Sequence, residues 1–203
     1  GVVGTLLMVV GWTHEFYAVD KVWIAWTVLA GFNGLFLAAF VTGQRLGQVD
    51  RWLTGSALAL PFATFAYALW LTGSREIGAR PGVLFCFLLA ADLPVLALAM
   101  RHQRAALSQL VAGAAAFVVL MSWTGQHLSG GLLNWALAGY LGFAVLHTAF
   151  PVVLQRVRPG SAPVWWGHLF PPLALLLVLG TLFRELQLTW LVWPVVMLID
   201  AAA

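Results

Sequence analysis

Long runs of apolar residues, interrupted by short polar or charged stretches, make up almost the whole sequence. Most runs are about 20 residues long, which is the length that an α-helix needs to cross the hydrocarbon core of a membrane. Eight segments can be delimited, at residues 1–12, 22–42, 53–72, 81–100, 106–123, 133–154, 166–183 and 189–203. The pattern predicts an all-α fold, a polytopic integral membrane helical bundle with about eight transmembrane segments.

The first and last segments are shorter than a full span, because the chain begins and ends inside apolar runs. A half-length helix in lipid leaves backbone polar groups without partners. We therefore expect both segments to be truncated. On this interpretation residues 1–203 form a single membrane domain that is a window from a longer chain.

Composition supports the same fold class. Of the 203 residues, 62% are hydrophobic and only 8% are charged, and the mean hydropathy is +0.94. Soluble domains contain about 25% charged residues, and disordered chains combine low hydrophobicity with high net charge, so both classes are excluded. The net charge of +3 comes without a basic run. Nucleic acid is therefore not an expected partner, whereas the lipid bilayer is, and other membrane subunits are further candidates.

Charges in the loops predict an orientation. Assigning alternate loops to opposite sides of the membrane places six arginines on one side and four basic residues on the other. The six are Arg45, Arg51, Arg101, Arg104, Arg156 and Arg158, and the four are Lys21, Arg75, Arg80 and Arg184. By the positive-inside rule the side with six arginines is cytoplasmic. All eleven tryptophans lie near predicted span ends, where indole rings anchor helices in the headgroup layer.

The sequence resembles itself at a shift of 111 residues. Trp12-Thr13 then matches Trp123-Thr124, Gly31-Phe32 matches Gly142-Phe143, Gln44-Arg45 matches Gln155-Arg156, and Pro61 matches Pro172. The copies run over approximately residues 12–92 and 123–200, with four helices each, and an even number of helices gives a parallel repeat. Gly31 and Gly142 each begin a ridge of matched positions that we expect to be a helix-packing seam.

Several of these segments also resemble a known family. They are the motif Trp-Thr-His-Glu-Phe-Tyr at 12–17, the span containing Ala25-Trp26 and Gly31-Phe32, residues 87–101, and residues 123–151. In these segments the chain is similar to a family of large, multi-span bacterial membrane proteins that is catalogued only as a domain of unknown function. The resemblance implies an architecture and a location in the bacterial inner (cytoplasmic) membrane. It implies no catalytic residues.

Three ionisable residues lie deep in predicted spans, namely Asp92, His147 and Asp200. A charged carboxylate at the bilayer centre costs about 2.5–3.5 kcal/mol or more, so each acid is expected either to be protonated and hydrogen-bonded or to face a polar cavity. Asp92 precedes Pro94, which frees a backbone carbonyl that a protonated Asp92 could bridge. The alternative is a proton-relay or cation site formed by all three residues. His147 could also ligate a pigment, but no second histidine lies at its depth, so no cofactor is predicted.

A second group of polar residues adjoins the repeated Trp-Thr pairs in the loops opposite the six arginines. His14, Glu15 and His127 could converge at this outer face as a general acid–base or metal site. Loop residues of these types are more often simply solvated, and no catalytic motif or metal-ligand spacing accompanies them. We therefore predict no metal and assign no catalytic residue, and the question whether the chain is an enzyme stays open.

Three functions remain compatible with the sequence. The favoured one is a structural or accessory helical component of a bacterial envelope or membrane complex, because few polar residues lie inside the spans. The second is a proton- or cation-coupled transporter, which predicts that Asp92, Asp200 and His147 line one cavity. The third is a membrane enzyme acting on envelope lipid or glycan, which predicts that His14, Glu15 and His127 meet in an outer groove.

Overall fold

The computed structural model describes residues 4, 5, 7–9, 11, 12, 21–48, 51–102, 105–160, 163–184 and 192–202, and within these ranges all regular structure is helical. The long helices are α1 (Val22–Arg45), α2 (Arg51–Leu71), α3 (Pro81–Arg101), α4 (Ala106–His127), α5 (Leu133–Val157), α6 (Phe170–Arg184) and α7 (Val192–Ala202). One helical turn, Arg75–Gly78, precedes α3, and short 3-10 segments, Gly130–Leu132 and Val164–Leu169, precede α5 and α6.

Six helical segments of the described chain are long and apolar enough to cross a membrane. They are α1 to α4, the segment Gly130–Val157 that contains α5, and Val164–Leu182, which joins a 3-10 segment to α6. Helix α7 is apolar but shorter. The prediction of an all-α integral membrane bundle is confirmed at this level. The predicted first and last spans fall partly outside the described residues.

The helices pack as two groups of three with one helix between them. Helices α1, α2 and α3 contact one another, and so do α5, α6 and α7. We call these the first and second units. Helix α4 contacts α2 and α3 of the first unit and α5 and α6 of the second, while α3 and α5 also touch directly. The line along which α3, α4 and α5 meet is therefore the central seam between the units.

Contacts near the helix termini identify one end of the bundle as rich in arginine. The side-chain amide of Gln44 donates to the carbonyl oxygen of Arg101 at 3.0 Å, which brings the last turns of α1 and α3 together. Leu96, Ala106 and Leu154 share one apolar cluster, so α4 begins where α3 and α5 end. The arginine end consists of Arg45, Arg51, Arg101, Arg156 and Arg158. It matches the side of the membrane that the loop charges predict to be cytoplasmic.

The predicted packing seam at Gly31 and Gly142 is wrong. A Cβ atom added at either glycine would meet no atom within 4 Å. Leu35, on the same predicted ridge, is 60% exposed. The physical reason is that lipid is as apolar as the interior of the bundle, so a ridge of apolar residues fits the lipid-facing surface as well as a helix interface.

Candidate functional site: a buried aspartate–histidine contact

The central seam contains the one described contact between an acidic and a basic side chain. Nε2 of His147 lies 3.0 Å from Oδ2 of Asp92, and both side chains have zero solvent exposure. Asp92 is near the middle of the 21 residues of α3, and His147 is near the middle of the 25 residues of α5. The contact therefore joins the two units at about half the length of their helices.

The approach is close but lacks the alignment of a hydrogen bond, and none of the four polar side-chain atoms has a hydrogen-bond partner among the described residues. Asp92 thus faces His147 and does not bridge the backbone near Pro94. A buried polar group without hydrogen bonds is costly. A small rotation of either side chain would let the pair lower that cost in one of two forms, because a neutral acid can donate to a neutral imidazole and a carboxylate can accept from an imidazolium.

Glycine at position 113 of α4 makes room for the imidazole. A Cβ atom at Gly113 would lie 2.9 Å from Nδ1 of His147 and would overlap two ring carbons of Phe170. The ring of Phe170, the first residue of α6, lies against the imidazole with a centroid distance of 4.9 Å. The glycine backbone and the phenylalanine ring therefore cover the face of His147 that does not meet Asp92.

Gln109 is a further buried polar residue that the sequence analysis missed. It has zero exposure, and neither of its amide atoms has a partner among the described residues. It lies one helical turn from Gly113 and one turn from Ala106 on the same face of α4. Since Gly113 touches His147 and Ala106 packs between α3 and α5, Gln109 occupies the next layer of the seam toward the arginine end. The sequence feature that could have identified Gln109 is its amide side chain inside the predicted apolar span 106–123.

Asp200, the third residue of the predicted intramembrane site, lies exposed on α7. The structure brings two of the three predicted residues together and leaves Asp200 outside the seam.

The predicted outer-face site is represented only by His127. Its Nε2 lies 2.5 Å from the carbonyl oxygen of Thr72, at the opposite end of the bundle from the arginines. A Cβ atom at Gly78 would overlap the His127 ring, so the turn Arg75–Gly78 covers this histidine closely. His14 and Glu15 lie outside the described residues. The convergence of these three residues stays a prediction.

Hydroxyl and amide groups form further links between helices that the sequence did not single out. The Tyr140 hydroxyl lies 2.6 Å from the Thr124 hydroxyl and 3.2 Å from the Thr181 hydroxyl, which ties α5 to α4 and α6. Within the first unit, the amide of Asn33 donates to the Thr64 hydroxyl at 3.0 Å. Both threonines that flank Tyr140 also donate to carbonyl oxygens of their own helices. Unlike the contact at the seam, these links contain no carboxyl or imidazole group.

The seam offers two side chains of the types that bind metals. Among the described residues, no third His, Cys, Asp or Glu joins Asp92 and His147 in a group that could hold a metal ion. No protein-family model, curated protein or solved structure was found to match the chain.

Proposed function

We propose that the protein is a structural or accessory helical component of a bacterial inner-membrane complex, in which the Asp92–His147 contact fastens the two three-helix units. The observation that carries this proposal is the position of the contact. Its two side chains come from different units, lie 3.0 Å apart at mid-helix depth and are completely buried. A polar contact inside lipid fixes the register of two helices, because any other register leaves both groups unpaired.

The Asp92–His147 site is closed by packed neighbours, and this supports a structural role over a role in binding a substrate. Gly113 and Phe170 pack directly on His147, so its imidazole has no open side toward α4 or α6. A groove of about 510 Å³ between α4 and α6 and a groove of about 330 Å³ on α5 are lined by other residues. A substrate site is expected to be a cleft with convergent polar groups, and neither groove contains Asp92 or His147.

The proposal includes a bundle of eight spans built as a parallel repeat over approximately residues 12–92 and 123–200. Three observations support it. Helices α1 and α5 start 111 residues apart, at Val22 and Leu133. The packing of α1, α2 and α3 has its counterpart in α5, α6 and α7. The described residues near the start of the chain are helical, namely 4, 5, 7–9, 11 and 12. At a shift of 111 they correspond to 115–123, which lie in the second half of α4 and are also helical.

Location in the inner membrane, with the arginine end in the cytoplasm, is part of the same proposal. It is supported by the five described arginines that gather at one end of the bundle. The positive-inside rule places such an end in the cytoplasm.

A second candidate function is proton-coupled transport through the seam. The specific observation in its favour is that Asp92 and His147 can share one proton, while Gln109 lies unpaired one layer nearer the arginine end. Ionisable residues inside a membrane commonly mark proton relays. This function requires water to reach the seam, whereas the structural role requires the seam to stay closed.

One pair of experiments separates the two functions. The protein is reconstituted in liposomes that contain a pH-sensitive dye, and a pH gradient is imposed across the membrane. The structural role predicts the same slow proton leak for the wild type, Asp92→Asn and protein-free liposomes. A proton flux that Asp92→Asn abolishes, in a variant of unchanged thermal stability, would replace the structural role with the transport role.

The accessory role is tested by extracting the protein from its own membrane with a polymer that retains neighbouring lipid and protein. We expect the extracted particle to contain a second membrane protein in fixed ratio to this chain. Extraction as an isolated chain under several polymer conditions would contradict membership in a complex.

A further inference from the structure

We propose that the lipid-facing groove on α5 is a binding site for one anionic phospholipid, with an acyl chain along the groove and the headgroup phosphate on Arg156. The groove has a volume of about 330 Å³ and is lined by Val145, Thr148, Ala149, Val152, Val153 and Arg156. This inference goes beyond the structural role proposed above. It rests on the bundle spanning a membrane and on the arginine end lying in the cytoplasm, which is part of the proposed function.

The lining residues follow one stripe of α5. They recur at intervals of three and four residues, which is the spacing of one helix face. The opposite face of α5 carries His147, Phe150 and Leu154, all of them buried in the bundle. Val145 and Val153 are each 46% exposed, so these positions of the stripe face the surroundings.

The length of the groove matches one leaflet of a bilayer. From Val145 to Arg156 the helix rises by 11 residues, or about 16 Å at 1.5 Å per residue. Half of the hydrocarbon core is about 15 Å. Val145 lies two residues before His147, at mid-helix depth, and Arg156 lies in the last turn of α5. An acyl chain in the groove would therefore end near the bilayer centre and place its headgroup beside Arg156.

Charge determines which class of lipid fits. Arg156 is exposed and has no carboxylate partner among the described residues, and Arg158 follows it two residues later. Basic side chains at the cytoplasmic ends of transmembrane helices attract anionic headgroups. Arginine also matches phosphate oxygens with a planar fork of N–H donors. An anionic phospholipid fits both features, because its acyl chain can cover the apolar stripe and its phosphate can accept from the unpaired guanidinium of Arg156.

A neighbouring segment packs on α5 at one residue of the groove, Thr148. The 3-10 segment Val164–Leu169 crosses α5 at Thr148, whose hydroxyl donates to the carbonyl oxygen of Gly167 at 3.2 Å. A Cβ atom at Gly167 would lie 2.6 Å from the carbonyl oxygen of Thr148. Trp165 in the same segment is 59% exposed, and an exposed indole is typical of the headgroup layer.

The test counts bound lipids by native mass spectrometry of the purified full chain in detergent. Phosphatidylglycerol and phosphatidylcholine with identical acyl chains are titrated separately. We expect one phosphatidylglycerol to bind more tightly than phosphatidylcholine. Arg156→Gln should weaken phosphatidylglycerol binding about five-fold and phosphatidylcholine binding less, because the choline cation already balances the charge of that lipid's phosphate. Ala149→Phe, which fills an exposed part of the groove, should weaken the binding of both lipids.

Arg45→Gln is the matched control, because Arg45 is exposed in the corresponding last turn of α1. Equal losses from Arg45→Gln and Arg156→Gln would show only diffuse attraction to the arginine end and would overturn the proposal. Equal binding of the two lipids would overturn it as well. A change of oligomeric state in Ala149→Phe without any change in lipid binding would assign the groove to a second copy of the chain. Inorganic phosphate added at the same concentration should not displace the lipid, because the acyl chain supplies part of the binding.

Discussion

A double-mutant cycle on Asp92 and His147 measures whether their contact holds the two units together. The single variants Asp92→Leu and His147→Leu each replace one partner by an apolar side chain of comparable size. Each leaves the other partner buried and unpaired in the seam. The double variant removes both polar groups together and leaves an apolar seam between α3 and α5.

The expected energies follow from complete burial and from the absence of other described partners. A buried neutral group that loses its partner costs about 1–3 kcal/mol, so each single variant should lose about 2 kcal/mol of the free energy of unfolding. Polar contacts between membrane helices average about 0.6 kcal/mol and reach about 1.7 kcal/mol. We expect a coupling energy of about 1–2 kcal/mol, so the double variant should be more stable than two independent losses would make it.

The assay is thermal unfolding in one detergent at one pH, followed by intrinsic fluorescence. For a chain of this size, 1 kcal/mol corresponds to a shift in Tm of about 2–4 °C, so each single variant should melt about 4–8 °C lower. The matched control is a cycle on Asn33 and Thr64, a buried cross-helix pair at 3.0 Å within the first unit. Because this pair is neutral and local to one unit, its coupling energy should lie near the membrane average of about 0.6 kcal/mol.

The reasoning would be refuted if the two single losses of unfolding free energy added up to the loss of the double variant within about 0.5 kcal/mol. Two groups that interact energetically cannot give independent losses. Asp92→Asn adds a further condition. An amide can still donate to or accept from the imidazole, so this variant should melt closer to the wild type than Asp92→Leu does. Equal destabilisation by Asn and Leu would show that the pair is a carboxylate with an imidazolium.

Three other expected outcomes follow from the structure. Gly113→Ala should cost about 1–3 kcal/mol, measured by thermal unfolding, because its Cβ atom overlaps Phe170, whereas Gly142→Ala has open space and should be neutral or slightly stabilising. Tyr140→Phe should cost about 1 kcal/mol in the same assay, because it removes a hydroxyl shared by α4, α5 and α6. With single cysteines in a background without the native cysteine, an impermeant maleimide should label Gln48→Cys only in permeabilised cells and Ser129→Cys in intact cells. The reverse pattern would invert the proposed orientation.

The membrane fold could be predicted from the sequence because a span has a length set by the bilayer. Runs such as 81–100 and 133–154 required no knowledge of packing partners and correspond closely to α3 and α5. The orientation of each helix face could not be predicted in the same way. Gly31 and Leu35 face outward although they match a repeat, because hydrophobicity does not distinguish lipid from helix neighbours.

Two residues of the site could be predicted because ionisable side chains are rare inside apolar spans. Asp92 and His147 stand out inside apolar spans, and the energetic cost of each singles it out. Their pairing depends on the rotations of α3 and α5 and on the small residue Gly113, which are properties of the assembled seam. Gln109 was missed because an uncharged amide costs less in a span than a carboxylate does and therefore gives a weaker signal in the sequence.

The contact itself is the central claim, and solid-state NMR in lipid tests it most directly. Protein labelled with ¹³C at aspartate carboxyls and ¹⁵N at histidine rings is reconstituted, and carbon–nitrogen dipolar dephasing is recorded. A nitrogen 3.0 Å from a carboxylate oxygen should dephase one aspartate signal, and that dephasing should vanish in Asp92→Asn and in His147→Leu. Absence of dephasing in the wild type, or its persistence in either variant, would contradict an Asp92–His147 contact as the link between the two units.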